Sequence, residues 1–343
     1  MKYFIDLPGH LVQEIRKVLE KSDYTTINEF ILTALENQIA MEDSEITEED
    51  LFTSTVRIPK KVSKQKVNNK LIDFKDLLSV SNLSDIEFYE YPDKSDLQYP
   101  DTDYEKSWLW GQINRIFPVK LAARILLKMQ NEKNNSVRLE EFINYSCEIA
   151  SKFGYELSRI NNELKRSRDE KTDIALPVEG KSKSIERYKN HFLIYRRKND
   201  RILDGALARM KFANINEDGF VRLTEEGIKF AKMFNPLIDE DLSNPKTLSE
   251  EEKKSYLKFA KNNVLEERNP INIITKIISE GKQTLPEIDD AITKIKPEWK
   301  TQAVVVTQRA GSLGRMYELG LVYKTKDGLH VSYHITNFSK EIL

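Results

Sequence analysis

The chain has 343 residues, of which 39% are hydrophobic and 32% are charged, and its formal net charge is −1. This length is enough for two or three domains, and the composition is that of a soluble, polar globular protein. No apolar run approaches the roughly 20 residues that a membrane-spanning helix needs, and the first residues, MKYFIDLPGH, lack the apolar core of a signal peptide. We therefore expect a cytoplasmic protein without a membrane partner.

Motifs for catalysis and metal binding are missing from the sequence. The single cysteine, Cys147, excludes an internal disulfide and a cysteine-based zinc site, and its place on a predicted apolar helix face indicates a structural thiol. The four histidines show no metal-ligand spacing, and no nucleophile elbow, phosphate-binding glycine loop or HExxH motif occurs. We therefore predict a protein that is not an enzyme and needs neither a metal nor a cofactor.

Charge is unevenly placed along the chain despite the nearly neutral total. Residues 84–106 carry eight acidic and two basic side chains, whereas residues 151–211 carry sixteen basic and nine acidic ones. Phosphate binding depends on the local electrostatic field, so a neutral protein can still have a basic face that binds nucleic acid. The alternative is an ordinary solvated surface.

The first forty residues predict a strand followed by two helices. Alternating apolar residues form the strand and Pro8-Gly9 stops it, an amphipathic helix covers about residues 10–21, and Thr26 with Glu29 forms a capping box for a second helix. This order, and the residues TTINEFILTALENQI in particular, resembles the ribbon-helix-helix family of Arc/MetJ-type repressors.

That resemblance implies an intertwined homodimer, built through residues 1–45, whose paired strands enter the major groove of DNA. Lys2 and Phe4 are the outward strand residues that it places on DNA. Asp6 shares their face and would repel phosphates, so the alternative is a unit that dimerises without reading bases.

Residues 46–107 predict a charged linker, because acidic, lysine-rich and proline-bearing stretches follow one another there. Apolar residues around Leu71–Leu83 predict a short helix within it.

Residues 108–240 predict a winged-helix domain. A helix opens at Phe117-Pro118, a second covers Glu140–Lys152 and ends at Phe153-Gly154, and a third follows from Tyr155. A short ribbon around residues 216–219 then supplies the wing. A basic insertion at about residues 169–200 contributes Arg196 and Arg197 as candidate DNA contacts.

The third helix of a winged unit normally lies in the major groove, where arginine pairs with guanine and asparagine with adenine. With Leu157, Ile160 and Leu164 predicted to face inward, its outward face predicts a base-reading surface. The candidate residues are Ser158, Arg159, Asn161, Asn162, Lys165 and Arg166. The alternative is an ordinary exposed helix.

Residues 241–343 predict a second winged-helix domain, beginning at Asn244-Pro245 with a helix capped by Ser249. Near its end, a helix runs directly into two alternating strands joined by Asp327-Gly328, and Asp-Gly between such strands is the strongest local hairpin signal. The pattern LGRMYELGLVYKTKDG resembles winged-helix regulators in general. Leu329, Val331, Tyr333 and Ile335 are predicted to face inward.

The helix before this hairpin supplies the second set of candidate DNA contacts. Ala303, Val306, Ala310 and Leu313 are predicted to face inward and Val305 and Ser312 outward, while Gly311 and Gly314 are predicted points of close approach to a neighbouring helix or to DNA. The candidate contacts from this helix are Thr301, Gln302, Gln308 and Arg309. Lys324 and Lys326 on the wing are predicted to bind phosphates.

These patterns together predict a mainly α protein with small β-ribbons, made of a ribbon-helix-helix domain and two winged-helix domains. The expected function is sequence-specific binding of double-stranded DNA by a dimeric transcriptional regulator. A close variant is a DNA-recognition factor of a mobile-element, plasmid or phage-defence locus. The alternative is a protein-interaction adaptor whose winged helices bind a partner enzyme or assembly.

Overall fold

The computed structural model describes residues 73–80, 107–178, 180–197, 202–327 and 330–342. Contacts divide the chain into two compact units, Met1–Leu71 and Ile72–Leu343, and all described residues belong to the second. In these ranges the chain is mainly helical with small two-stranded antiparallel sheets, which confirms the predicted combination of helices and ribbons. No helix in them is long and apolar enough to cross a membrane. The predicted ribbon-helix-helix region lies outside the described residues.

The described part of the chain up to residue 240 contains six α-helices. They are α1 (Phe74–Leu78), α2 (Phe117–Glu132), α3 (Leu139–Glu163), α4 (Ser182–His191), α5 (Ala206–Arg209) and α6 (Glu225–Lys232). Pro118 begins α2 at a position where no backbone donor is needed, and Thr224 caps α6 by accepting from the Gly227 amide at 3.1 Å. The short helix α1 confirms the helix predicted around residues 71–83.

Five further helices follow in the described residues beyond 240. They are α7 (Glu250–Asn263), α8 (Leu265–Ser279), α9 (Leu285–Ile295), α10 (Gln302–Glu318) and α11 (Asn337–Ile342). Ser249 with Glu252 forms the capping box that begins α7, which confirms the predicted cap, and Thr284 with Glu287 does the same for α9. Thr301 caps α10.

Three antiparallel strand pairs connect the helices. They are β1 (Tyr195–Arg196) with β2 (Leu203–Asp204), β3 (Ala213–Ile215) with β4 (Val221–Leu223), and β5 (Val322–Asp327) with β6 (His330–Ile335). The pairs β3–β4 and β5–β6 confirm the two predicted ribbons. Each of these two ribbons is extended by an isolated antiparallel β-bridge to the residue that precedes a helix. Arg138, before α3, pairs with Phe220, and Thr284, before α9, pairs with Ser332.

The predicted break at Phe153-Gly154 is wrong, because α3 continues without interruption from Leu139 to Glu163. Gly154 keeps an ordinary helical conformation and serves close packing instead. A Cβ at this position would lie 2.9 Å from the Pro177 carbonyl oxygen, so the absence of a side chain lets the following loop approach the helix. The helix predicted to read bases is therefore the C-terminal part of α3, not a separate element.

One cluster of buried apolar side chains extends from Phe74 to Tyr333 and includes residues of both predicted winged-helix regions. Phe74 of α1 packs edge-on against Phe153, with ring centroids 5.0 Å apart. Lys120 of α2 lies 2.8 Å from Glu252 of α7, and both side chains are fully buried. Residues 108–240 and 241–343 thus share one core.

Candidate nucleic-acid interface

Helix α10 presents its N-terminal turn to solvent. Residues 301–304 are exposed, including the apolar Val304 at 40%. Thr301 and Gln302, two of the predicted contacts, are therefore on the surface, and the free amide groups at a helix N-terminus favour a negatively charged ligand.

The remainder of α10 is covered by the segment that precedes α2. The Trp108 indole donates to Ser312 Oγ at 3.0 Å, and a Cβ added to Gly311 would lie 2.1 Å from the Gly111 carbonyl oxygen. A Cβ on Gly314 would lie 2.7 Å from the Asn114 carbonyl oxygen. Close approach at both glycines agrees with the prediction, but the partner is the loop before α2 and not the neighbouring helix or DNA that was predicted.

The predicted orientation of α10 is wrong for several residues. Val305, Arg309 and Ser312 form a buried stripe, whereas Ala303 is exposed. The Arg309 guanidinium makes a bidentate pair with the Asp289 carboxylate of α9, at 2.9 and 3.0 Å. Arg309 therefore fixes α10 to α9 and is not available to a base edge. Gln308 is half-buried.

The hairpin β5–β6 has one face toward the core and one toward solvent. Val322, Lys324 and Lys326 pair across the ribbon with Ile335, Tyr333 and Val331, so these six side chains share the inner face. Tyr333 is buried and Val331 and Ile335 pack against the core, which confirms their predicted orientation. Leu329 and the predicted turn residue Gly328 lie outside the described residues.

The outer face of the hairpin is polar and aromatic. Tyr323, 47% exposed, stacks on His334 with ring centroids 5.0 Å apart. Thr325 Oγ1 lies 2.8 Å from His334 Nε2. This face offers hydrogen-bonding groups and an aromatic surface to a ligand.

The two wing lysines meet a single carboxylate. Lys324 Nζ lies 2.7 Å from one oxygen of Asp169, and Lys326 Nζ lies 3.1 Å from the other. Lys324 also lies over the Tyr317 ring, 4.8 Å from its centroid. Burial raises the pKa of Asp169, but the hydrogen bonds and charges of the two lysines outweigh it and lower that pKa. Asp169 is therefore ionised at neutral pH, and its negative charge cancels one of the two positive charges of Lys324 and Lys326.

Asp169 lies in a short 3-10 turn, Arg168–Glu170, capped by Ser167. The segment around this turn, residues 165–171, carries four basic side chains: Lys165, Arg166, Arg168 and Lys171. We call this segment together with the hairpin β5–β6 the wing surface. Through Asp169 the structure brings this segment, which also carries Glu170, into contact with Lys324 and Lys326, although the sequence pattern predicts separate domains for the two.

The six residues predicted as one base-reading helix face do not form one surface, and Lys165 and Arg166 lie beyond the end of α3. Asn161 is 1% exposed, and its amide donates to Asp173 at 2.7 Å. Arg166 donates to the Asn161 side chain at 3.0 Å and to the Ser243 carbonyl oxygen. Leu164, predicted to face inward, is 53% exposed. The predicted face is wrong because α3 buries Asn161 in line with Gly154 and Leu157.

Other candidates on this part of the chain are placed as follows. Ser158 is half-buried, while Asn162 and Lys165 are exposed. Arg159 is exposed but forms ion pairs with Glu156, at 2.9 Å, and with Glu163. Arg196 donates to the carbonyl oxygens of Ile215 and Asn216 at 3.2 Å each, so it ties β1 to the end of β3. Arg197 lies 4.0 Å from Asp204. Lys2 and Phe4 lie outside the described residues.

Sequence reasoning missed an exposed tryptophan beside the basic insertion. Trp110 is 48% exposed, and its ring centroid lies 6.1 Å from that of His191 at the end of α4. The available signal was a second tryptophan, Trp110, only two residues after Trp108 and directly beyond the charged linker. We call Trp110, Arg187 and His191 the aromatic corner.

Within the described ranges, no group of three or more histidine, cysteine, aspartate or glutamate side chains is arranged to hold a metal ion. Burial raises the pKa of the half-buried Cys147 thiol, which lowers its reactivity. Comparison of the chain with models of protein families, with curated proteins and with solved structures gave no match.

Proposed function

We propose that this protein binds double-stranded DNA through its C-terminal half and acts as a sequence-specific regulator or DNA-recognition factor. The observation that carries the proposal is the wing surface: helix α10 leads directly into a hairpin whose lysines lie beside a second basic segment. We take the order α8, bridging residue Thr284, α9, α10 and hairpin as support for a winged helix-turn-helix, in which a helix and the ribbon after it contact DNA.

In this proposal, the wing surface binds phosphates and the exposed first turn of α10 reads bases. Lysine and arginine contacts to phosphates position a protein on the duplex, whereas base edges in the major groove supply specificity. Thr301 and Gln302 are the side chains of α10 best placed for such reading, since residues further along pack against residues 108–116. Residues 1–45 would join two copies, each binding one half of a palindromic site.

A salt titration of duplex binding tests the proposal. The affinity should fall steeply between about 50 and 200 mM salt and should exceed that for random DNA. The variant Lys324→Gln/Lys326→Gln should weaken binding to every duplex and reduce the salt slope by up to about 2.

The matched control is Lys229→Gln on α6, an exposed lysine that is likewise paired with two carboxylates, Glu225 and Glu226. It should leave duplex affinity unchanged. Equal losses in the control and in the wing variant would contradict the proposed surface.

The adaptor function has one observation in its favour. The exposed apolar residues Ile295 and Val304, at 48% and 40%, flank the connection between α9 and α10. Burial of these side chains against a partner protein would remove apolar surface from water. If the purified protein binds no duplex even at low salt, duplex binding is excluded and the adaptor function becomes the better explanation.

A further inference from the structure

The aromatic corner combines an exposed ring with a desolvated positive charge. Trp110 belongs to the loop before α2, whereas Arg187 and His191 lie on α4. Arg187 and His191 are four residues apart and therefore share one face of the helix, together with Lys183 one turn earlier. From Lys183 to His191 this face is about 12 Å long.

Trp110 is held on the surface by anchored neighbours. Trp108 is buried and packs edge-on against Trp299, with ring centroids 4.9 Å apart. On the other side, a Cβ on Gly111 would lie 2.2 Å from the Thr307 carbonyl oxygen, so this residue is pressed against α10. The indole between these two fixed points is consequently presented to solvent in a defined position.

Positive charge at the corner is not neutralised within the described part of the chain. Burial lowers the pKa of Arg187, and no described carboxylate pairs with it. Burial and the charge of Arg187 also lower the pKa of His191, with Asp204 acting in the opposite direction, so His191 is neutral at pH 7. Asp204 itself is committed to Arg209, at 2.5 Å.

We propose that the aromatic corner binds an unpaired nucleobase and its adjoining phosphate, so that the protein holds single-stranded DNA beside the duplex. An indole stacks on any base, and Arg187, one helical turn before the histidine beside that indole, would pair with the phosphate. Inside a duplex each base is covered on both faces by its neighbours and only the terminal pairs have an open face, which is why unpaired bases along a single strand fit the corner better than a duplex does. The inference rests on the proposed function only in taking DNA as the ligand.

A short oligothymidylate of about eight nucleotides is the probe, since one such site spans roughly 4–16 nucleotides. Binding is followed by fluorescence anisotropy of the labelled strand and by quenching of the protein's tryptophan emission. Quenching is expected because a stacked base contacts Trp110. The Trp110→Ala variant should lose most of the quenching and bind roughly tenfold more weakly, whereas Trp110→Phe should retain most of the affinity.

Arg187→Gln tests the phosphate contact separately. It should weaken binding and reduce the salt slope by about 0.7, the value for one phosphate of a single strand. Lys229→Gln is again the control and should bind like the unaltered protein. An unquenched tryptophan signal, or equal affinity of Trp110→Ala and the unaltered protein, would overturn the inference.

The two proposals fail in different ways. Loss of blunt-duplex binding in the wing variant alone supports the proposed function, and loss of oligothymidylate binding in Trp110→Ala alone supports the corner. A protein that binds oligothymidylate through Trp110 but binds no blunt duplex would refute the proposed function and keep the corner. A protein that binds duplex DNA but binds oligothymidylate equally well with and without Trp110 would refute the corner and keep the proposed function.

Discussion

At the scale of single residues, Asp169 determines the charge of the wing surface. Its carboxylate contacts both wing lysines, and its pKa is lowered because their hydrogen bonds and charges outweigh its burial. An acidic side chain at a phosphate-binding surface reduces affinity unless its role is to hold the lysines in place. This ambiguity can be resolved by one substitution.

Asp169→Asn keeps the size of the side chain and removes its charge. We expect the Kd for a duplex to fall by about two- to fivefold at low salt, equivalent to roughly 0.5–1 kcal/mol, because two lysines are released toward phosphates. Anisotropy titrations measure the change, and Glu226→Gln on α6, which removes one of the two partners of the exposed Lys229, is the control. Weaker binding by Asp169→Asn would show that the carboxylate positions the lysines.

Arginine and asparagine illustrate where single-residue prediction failed. Arg309 and Asn161 are typical DNA-contacting residue types, yet both are buried in hydrogen-bonded pairs with Asp289 and Asp173. Buried polar groups need such partners. The partner of Arg309 lies 20 residues away on another helix, so local spacing could not reveal it.

At the scale of elements, the features that depend on local chemistry were predictable. The hairpin β5–β6 follows from strand alternation, and the start of α7 follows from the capping box of Ser249 and Glu252. The continuity of α3 was not predictable. Glycine commonly ends helices. Inside α3, Gly154 instead leaves room for the loop at Pro177, and this loop is distant in sequence, so the local pattern could not reveal it.

Helix α10 is held against the loop of residues 107–116 by a pair of glycines. In a helix whose glycine faces solvent, replacing that glycine with alanine stabilises the fold by roughly 1 kcal/mol through helix propensity. In Gly311→Ala, the added Cβ would lie 2.1 Å from the Gly111 carbonyl oxygen, a backbone atom that cannot turn away. We therefore expect a net destabilisation of roughly 1–3 kcal/mol.

Urea unfolding measures this change, with tryptophan fluorescence as the signal, since all three tryptophans lie beyond residue 107. Ala303→Gly, at an exposed position of the same helix, is the control for propensity alone and should cost about 1 kcal/mol. A stabilised Gly311→Ala variant would mean that the loop does not pack closely on α10.

At the scale of the whole molecule, one core connects both predicted winged-helix regions, and a buried ion pair crosses it. Lys120 and Glu252 are fully buried, and Asn235 also donates to the Glu252 carboxylate. Removing one member of such a pair leaves an uncompensated buried charge and costs about 3–5 kcal/mol, whereas replacing both is often neutral. Lys120→Met should therefore destabilise the protein far more than Lys120→Met/Glu252→Gln.

The same pair makes stability depend on pH. Burial, together with the charge of Arg124, lowers the pKa of Lys120 from its ordinary 10.5 to about 8, although Glu252 acts in the opposite direction. Between these values the unfolded lysine keeps a proton that the folded one has lost, so the free energy of unfolding rises with pH. Deprotonation differs from the Lys120→Met substitution because the neutral amine can still donate hydrogen bonds to the carbonyl oxygens of Phe230 and Met233. From pH 7 to about 9.5 we expect a rise of roughly 2 kcal/mol relative to Lys120→Met/Glu252→Gln, measured by urea unfolding. The double variant keeps every other group that titrates in this range and is therefore the control. If the two plots of unfolding free energy against pH stay parallel, Lys120 remains charged in the core.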